Sequence, residues 1–284
     1  MIYLVIVVSL IAMLSIATAY DLKWKYIPDY ASYSFISIAL AERVLYFLEQ
    51  GDASLLTNIV PAVIILGGIG YLLYKSGMWG GGDLKVLISV AILLAGFKGE
   101  LIPSFIDFFL NLMIIGALYI LPVTLFIGLR KIKPSKKEMA LMISSGIAGV
   151  IIIALRPSLS TAMISTGTFI AASIPYVQKV EEKCFVKPAN MKTLMDGDWL
   201  VNEVKVGKRV IRPKREGLTY EEAMLIKKWW KQGKLKKKPL IKEGIAYLPA
   251  FLIASLVTLL FGNLMILMVA EGMSNSARIV AMLS

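Results

Sequence analysis

The sequence predicts an all-α polytopic membrane protein of about eight transmembrane helices (six to eight), with a small α+β cytoplasmic domain inserted before the last helix. Of the 284 residues, 57% are hydrophobic, and the mean hydropathy is +0.73. These values exceed what a soluble globular protein needs to fill its core. Apolar runs also recur along the chain, and runs of about 17 to 25 residues can cross a hydrocarbon layer of roughly 30 Å as helices.

The first apolar run covers residues 2 to 20 and is predicted to be a retained membrane helix. It has no basic residue before it, whereas Lys23 and Lys25 follow it. This asymmetry favours a helix with its amino terminus outside rather than a cleaved signal. Seven further spans are predicted at about 30–49, 54–75, 84–98, 104–129, 138–155, 160–177 and 244–270.

The charges of the loops predict the orientation of these spans. With the amino terminus outside, the inner loops collect most of the basic side chains: Lys23, Lys25, Lys75, Lys85, Arg130, Lys131, Lys133, Lys136, Lys137 and the basic stretch 178–242. The outer loops hold Glu49, Asp52, Lys98, Glu100 and Arg156. This is a positive-inside pattern carried by several independent loops. It also accounts for the net charge of +12 without nucleic-acid binding.

Residues 178–242 form the longest polar stretch and are predicted to be a small basic cytoplasmic domain. It lies between a membrane body at 1–177 and a last membrane helix with a short tail at 243–284. Within it, imperfect alternation predicts a hairpin that turns at Gly207-Lys208. Thr219 and Glu222 have the spacing of a capping box and predict a helix that ends at Gly233.

The composition removes several kinds of catalyst. The chain has no histidine, so HExxH zinc hydrolases and Ser-His proteases are excluded. Cys184 is its only cysteine, which removes disulfides and CxxC metal knuckles. Any proton-transfer groups must therefore be Asp, Glu, Lys or Tyr.

Two carboxylates at the membrane edge are the candidate catalytic groups. Asp21 ends the first span and Asp83 opens the fourth, both at the predicted inner face. Carboxylates at membrane depth are costly and indicate function. When two share a site, one ionised and one protonated oxygen acid can together activate water and polarise a peptide carbonyl. The alternatives are that Asp83 is only an N-cap and that Asp21 is only a solvated interfacial residue.

The residues around both aspartates carry a family resemblance. Gly80-Gly81-Gly82-Asp83 matches the GxGD motif of the membrane aspartyl proteases. Asp21 followed by Ile27-Pro28-Asp29 resembles the D-x5-IPN element of type IV prepilin and archaeal preflagellin peptidases. Residues 244–251 also look like the carboxy-terminal region of the archaeal members. Asp29 stands where Asn is usual, and the paired CxxC motifs of many bacterial members are absent, so zinc binding and N-methylation are not inferred.

The resemblance implies the roles of the site residues. Asp21 and Asp83 become the catalytic dyad, whereas Gly80, Gly82, Pro28 and Asp29 become substrate-binding or backbone-support residues. No metal and no cofactor are implied. The glycine run would also let an extended peptide approach Asp83 closely.

The resemblance also implies the substrates and the setting. The partners are archaellin or type IV pilin-like precursors with a short basic leader ending in Gly and then an apolar helix. Membrane lipid is the second partner, and nucleic acid is not one. The enzyme is expected in the cell membrane as a multi-pass protein that cuts on the cytoplasmic side.

Three alternatives to this function remain open. One is a presenilin-like or signal-peptide-peptidase-like intramembrane protease, which uses the same dyad. The second is a cation-coupled transporter, in which a glycine-broken helix and carboxylates bind the ion. The third is a structural subunit, which would leave the GxGD motif unexplained.

Outside the dyad, Arg43 and Asp107 lie inside predicted spans nearer their outer ends, and we expect them to pair with each other.

Overall fold

The computed structural model describes residues 2–95, 97 and 103–270, and this part of the chain is mostly helical. Lys98, Glu100 and residues 271–284 lie outside the described residues. The helices are α1 (Ile2–Trp24), α2 (Asp29–Gln50), α3 (Ser54–Thr57), α4 (Ile59–Lys75), α5 (Gly81–Leu94), α6 (Ser104–Lys131), α7 (Lys136–Leu155), α8 (Leu159–Cys184), α9 (Tyr220–Lys231) and α10 (Leu248–Phe261). The strands are β1 (Val186–Pro188), β2 (Trp199–Leu200), β3 (Val204–Val206), β4 (Arg209–Ile211) and β5 (Leu240–Lys242).

The long apolar helices are those of a membrane protein. Among the described residues, α1, α2, α6 and α7 are long and apolar enough to cross a membrane. Helix α10 and the short helix Leu264–Ala270 would make a fifth span, bent by 44°. The predicted span at 54–75 is divided into α3 and α4, and α4 has only 17 residues. A total of about eight spans therefore remains a prediction.

The chain divides into two compact units, of which the first comprises Met1–Phe105 and Phe185–Leu252. Helix α5 packs against α1, α2 and α4 in this unit. All of its residues from Val86 to Leu94 are buried except Ile88, as expected of a helix that is apolar all round. A Cβ at Gly70 of α4 would lie 2.8 Å from Leu87 Cδ2, so glycine permits the close approach of α4 and α5.

The polar segment of the first unit contains two small sheets. Strands β1, β5 and β2 form an antiparallel sheet in the order β1-β5-β2, and β3 pairs with β4 in a hairpin. The hairpin turns at Gly207, which has a φ of 59°, as the sequence predicts. Thr219 accepts the N–H of Glu222 and caps α9, which confirms the predicted capping box. Apolar residues of the strands and of α9 share one core, which includes Leu200, Ile211, Ile226, Trp229 and Ile241.

The second unit comprises Ile106–Cys184 and Ile253–Ser284. Helices α7 and α8 pack against each other, and the hydroxyl of Tyr176 in α8 donates to the carbonyl of Ile132 at 2.6 Å. In the same unit, Gly262, with a φ of 69°, separates α10 from the following short helix. Asn111 of α6 joins the two sides of this break, since it donates to Gly262 O at 2.7 Å and accepts from Leu264 N at 3.0 Å.

Arg43 and Asp107 take partners other than each other. The Nε of Arg43 donates to the carbonyl of Ile92 at 2.9 Å, near the carboxyl end of α5. Cations are favoured at that end of a helix. Asp107 accepts from Asn263 Nδ2 at 2.8 Å, beside the break after α10. The expected pair is thus replaced by a helix-end contact for the cation and an amide contact for the carboxylate.

Candidate active site

Asp21 lies on the buried face of α1. The buried residues Ile6, Leu10, Leu14 and Ala17 precede it at intervals of three or four, so helical periodicity carries the Asp21 side chain inward. Only 8% of the residue is exposed. Its Oδ2 accepts the backbone N–H of Leu248 at 2.9 Å. The first residue of α10 thus donates to a carboxylate on α1, and Asp21 is not a solvated interfacial residue.

Asp83 lies in the first turn of α5 and is half-buried. Its Oδ2 accepts the backbone N–H of Gly80 at 2.9 Å. The N-cap of α5 is Gly80, and Asp83 is the third residue of the helix. The alternative that Asp83 is itself the N-cap is therefore wrong in position, although its carboxylate does satisfy one free N–H at the helix start.

The structure brings the two aspartates together. Helix α1 packs against α5, and the carboxyl of Asp83 lies within electrostatic reach of Asp21. Each carboxylate also has its own backbone donor, Leu248 for Asp21 and Gly80 for Asp83. Two carboxyl groups, one buried and one half-buried, therefore share one region of the first unit. The donor described for each is a backbone N–H group.

Gly82 makes room for the residue that precedes Pro28. A Cβ at position 82 would lie 3.3 Å from Ile27 Cδ1 and 3.4 Å from Ile27 Cβ. Ile27 is 4% exposed, so it packs closely over the first turn of α5. A Cβ at Gly81 would meet only Tyr74, at 3.8 Å. Of these two glycines, Gly82 is therefore the one that allows Ile27 to pack closely against the GxGD motif.

Pro28 and Asp29 begin α2 beside the same turn. Pro28 is the N-cap of α2, and its carbonyl accepts the N–H groups of Ala31 and Ser32. Asp29 forms an ion pair with Lys85, two residues after Asp83. The Lys85 ammonium also lies 4.8 Å from the ring centre of Tyr33. The two sequence motifs are therefore joined at two points, Ile27 with Gly82 and Asp29 with Lys85.

The part of the chain that contains both aspartates is similar to a known protein family. Residues 8–121 match the model of the type IV leader peptidase family. Over these residues the chain is similar to the type IV leader peptidase family. The matched segment contains both aspartates and both motifs. No curated protein and no solved structure matches the chain significantly.

A segment outside the matched region also lies beside Asp21. The ring of Tyr247 packs on Trp79 with centroids 5.6 Å apart, and Phe251 packs on both rings. Tyr247 is half-buried. Tyr247, Leu248 and Trp79 are not among the site residues predicted from the sequence. The only signals were the family-like stretch 244–251 and the position of Trp79 directly before the glycine run.

The loop between α1 and α2 is tied to the polar segment of the same unit. Lys25 has a φ of 53°, and its ammonium lies 3.2 Å from Glu243 Oε1. Glu243 also pairs with Lys187 at 2.6 Å. Although burial opposes it, hydrogen bonds and charge from Lys187 and Lys25 lower the pKa of Glu243. The turn that follows Asp21 is thus held by an ion pair with Glu243, the residue directly after β5.

No metal site accompanies the aspartates in the part of the chain that the structure describes. There, no three His, Cys, Asp or Glu side chains lie close enough together to hold a metal ion. The groups near the aspartates that can take part in chemistry are the two carboxyls, backbone N–H groups and the Tyr247 phenol.

Proposed function

We propose that this protein is a membrane aspartyl endopeptidase that removes short basic leader peptides from archaellin or type IV pilin-like precursors at the cytoplasmic face of the membrane. Asp21 and Asp83 are its catalytic dyad. The observation that carries the proposal is the approach of these two carboxyls from separate helices, one of them buried and the other half-buried. The similarity of residues 8–121 to the leader peptidase family supports the same reaction class.

The reaction follows from one ionised and one protonated carboxyl. The ionised aspartate takes a proton from a water molecule as the water oxygen attacks the scissile carbonyl carbon. The protonated aspartate donates its proton to the carbonyl oxygen. The resulting gem-diol collapses as one of its hydroxyls returns a proton to the aspartate that donated one. The C–N bond breaks, and the leaving amine takes the proton that the other aspartate accepted from water. Like-charge repulsion between close carboxylates favours this singly protonated state.

The neighbouring residues position the dyad in this proposal. Gly80 holds the carboxylate of Asp83 through its backbone N–H. Gly82 leaves space for Ile27, and the Asp29–Lys85 pair fixes the start of α2 against α5. Pro28 begins α2 and sets the chain direction between the two motifs. These contacts support backbone roles for Gly80, Gly82, Pro28 and Asp29, and substrate would lie along the same turn.

A transporter would require a different use of the intramembrane polar groups. The carboxylate of Asp107 and the amide of Asn111 lie beside the break after α10, as a cation site in a broken helix would. Both groups, however, hydrogen-bond to residues 262–264 at the break and thereby satisfy its backbone and side-chain groups. The leader peptidase family match favours the peptidase.

The purified protein in lipid nanodiscs tests this function with candidate precursors. Each precursor carries a short basic leader that ends in Gly, followed by an apolar helix. Mass spectrometry should show loss of the leader and a new amino terminus directly after the Gly. Intact precursors would contradict the proposal, and cuts inside the apolar helix would favour an intramembrane protease instead. A precursor whose leader Gly is replaced by a bulky residue is the matched control.

A further inference from the structure

Tyr247 is joined through its backbone to one aspartate of the dyad. It directly precedes Leu248, whose N–H donates to Asp21 Oδ2 at 2.9 Å. The backbone N–H of Tyr247 itself also faces the carboxylate of Asp21. The backbone of Tyr247 is therefore held close to Asp21, because the next residue donates to that carboxylate.

The ring of Tyr247 is joined to the segment that carries the other aspartate. Its centroid lies 5.6 Å from that of Trp79, at an interplanar angle of 47°. Phe251, one helical turn after Tyr247, lies 5.8 Å from its ring and 5.5 Å from that of Trp79. Trp79 is buried, and the next residue, Gly80, donates to Asp83. Aromatic contacts of this kind hold rings in fixed relative positions.

Together these contacts connect Tyr247 to Asp21 and to the segment that precedes Asp83. The backbone N–H groups of Tyr247 and Leu248 face the carboxylate of Asp21. The ring of Tyr247 packs on Trp79, four residues before Asp83. Because the ring is held by two aromatic neighbours, the direction of its hydroxyl is set by packing. That hydroxyl lies within electrostatic reach of the Asp83 carboxyl.

We propose that Tyr247 is a third catalytic residue, whose phenol O–H donates a hydrogen bond to the oxygen of the scissile carbonyl as negative charge develops on it. The proposal rests on the proposed function of the dyad. It requires no bond to form or break at Tyr247, because the phenol keeps its proton throughout.

The chemistry of the phenol suits this role. A tyrosine hydroxyl is protonated at neutral pH and can donate a hydrogen bond. A donor fixed before the reaction costs no reorganisation as negative charge shifts onto the carbonyl oxygen during attack, and loss of one such donor typically lowers kcat by about 10²-fold. The hydrogen bond is strongest in the transition state, so it affects kcat more than KM.

Tyr247→Phe tests the inference, because it keeps the ring and its contacts with Trp79 and Phe251 while removing the hydroxyl. With a basic-leader precursor, kcat should fall about 10²-fold with KM unchanged. The affinity for a peptide analogue with a hydroxyethylene group at the scissile position should fall in parallel. Tyr74→Phe is the matched control, since the ring of Tyr74 would lie 3.8 Å from a Cβ at Gly81, and it should keep the wild-type kcat.

Three outcomes would overturn the inference. A Tyr247→Phe protein within twofold of the wild-type kcat would show that the hydroxyl takes no part. A parallel loss of thermal stability and kcat, or a rise in KM alone, would assign Tyr247 a structural or binding role only. If the wild-type protein cleaved no precursor, the proposed function would fail and this inference with it, whereas an active wild type with an unaffected variant would overturn the inference alone.

Discussion

The backbone N–H of Leu248 donates a hydrogen bond of 2.9 Å to the carboxylate of Asp21, 227 residues earlier in the chain. The first residue of α10 is thereby bound to the end of α1. An acceptor at this position satisfies one of the N–H groups that a helix start leaves free, and a negative charge there is favoured by the helix dipole. Asp21 therefore has a structural contact as well as its proposed catalytic role, and experiments must separate the two.

The contact between Gly82 and Ile27 predicts different effects for two adjacent glycines. Gly82→Ala adds a Cβ 3.3 Å from Ile27 Cδ1, so Ile27 must shift and the first turn of α5 with it. We expect cleavage to fall several-fold, since a small displacement of a catalytic group lowers the rate steeply. Gly81→Ala meets nothing closer than 3.8 Å and should keep activity. The measurement is the cleavage rate of both variants, alongside their melting temperatures.

Shortening Ile27 provides the second arm of that experiment. Ile27→Val removes the Cδ1 atom and should restore part of the activity lost in Gly82→Ala. Equal activities of the Gly81→Ala and Gly82→Ala proteins would show that this contact does not position Asp83.

The Asp29–Lys85 ion pair predicts that Asn is tolerated at position 29. The side chain of Asp29 is 61% exposed, and an exposed pair contributes about 0–1 kcal/mol. The amide oxygen of Asp29→Asn can still accept from Lys85, so cleavage should remain within a few-fold of wild type. Asp29→Lys should be slower because it places like charges together, and Asp29→Lys with Lys85→Asp should recover. Complete loss of cleavage in Asp29→Asn would mean that Asp29 takes part in the chemistry.

Part of this site could be predicted from the sequence. The positive-inside pattern and two motifs pointed to Asp21 and Asp83, which lie on the packed helices α1 and α5. The helix that starts after Thr219 and the turn at Gly207 follow from local chemistry, since a capping box and a glycine with positive φ act within a few residues.

The rest depends on contacts between distant residues. Strands β1 and β5 have three residues each and are separated by more than fifty residues, so neither shows a period that predicts their pairing. The donation from Leu248 to Asp21 has no sequence pattern at all. The expectation that Arg43 pairs with Asp107 failed because a carbonyl and an amide offer partners that charge alone does not reveal. The break after α10 is not predicted either, since residues 244–270 form one apolar run in the sequence.

The positive-inside pattern predicts a membrane orientation that reporters can map. Reporters after residue 24, at residue 80 and within 178–242 should lie on the cytoplasmic side, and one at residue 51 should lie outside. Cysteine labelling in sealed vesicles, in a Cys184→Ser background, gives this map. Reporters at 24 and 80 found on opposite sides would separate the aspartates by a bilayer and exclude the dyad.

Closure of the dyad on substrate is a further prediction. Each carboxylate has a separate backbone donor, and the glycine run before Asp83 can absorb large changes of backbone angle. We expect the carboxyls to come within hydrogen-bonding distance of each other only when substrate binds. Asp21→Cys with Asp83→Cys, in the Cys184→Ser background, is treated with crosslinkers of graded length. Short reagents should react efficiently only with precursor present; equal short-reach crosslinking without it would indicate a preformed dyad.

The most direct measurement of the central claim is leader cleavage by Asp21→Asn and Asp83→Asn, each compared with the wild-type protein at matched melting temperature. Asn accepts a backbone N–H about as well as Asp at a helix start, so the contacts with Leu248 and Gly80 can persist and the fold should be retained. An amide cannot supply the proton transfer, however, and each variant should lose cleavage by at least about 10⁴-fold. Exposed Asp196→Asn is the control and should cleave normally. Full cleavage by either Asp21→Asn or Asp83→Asn would contradict the dyad.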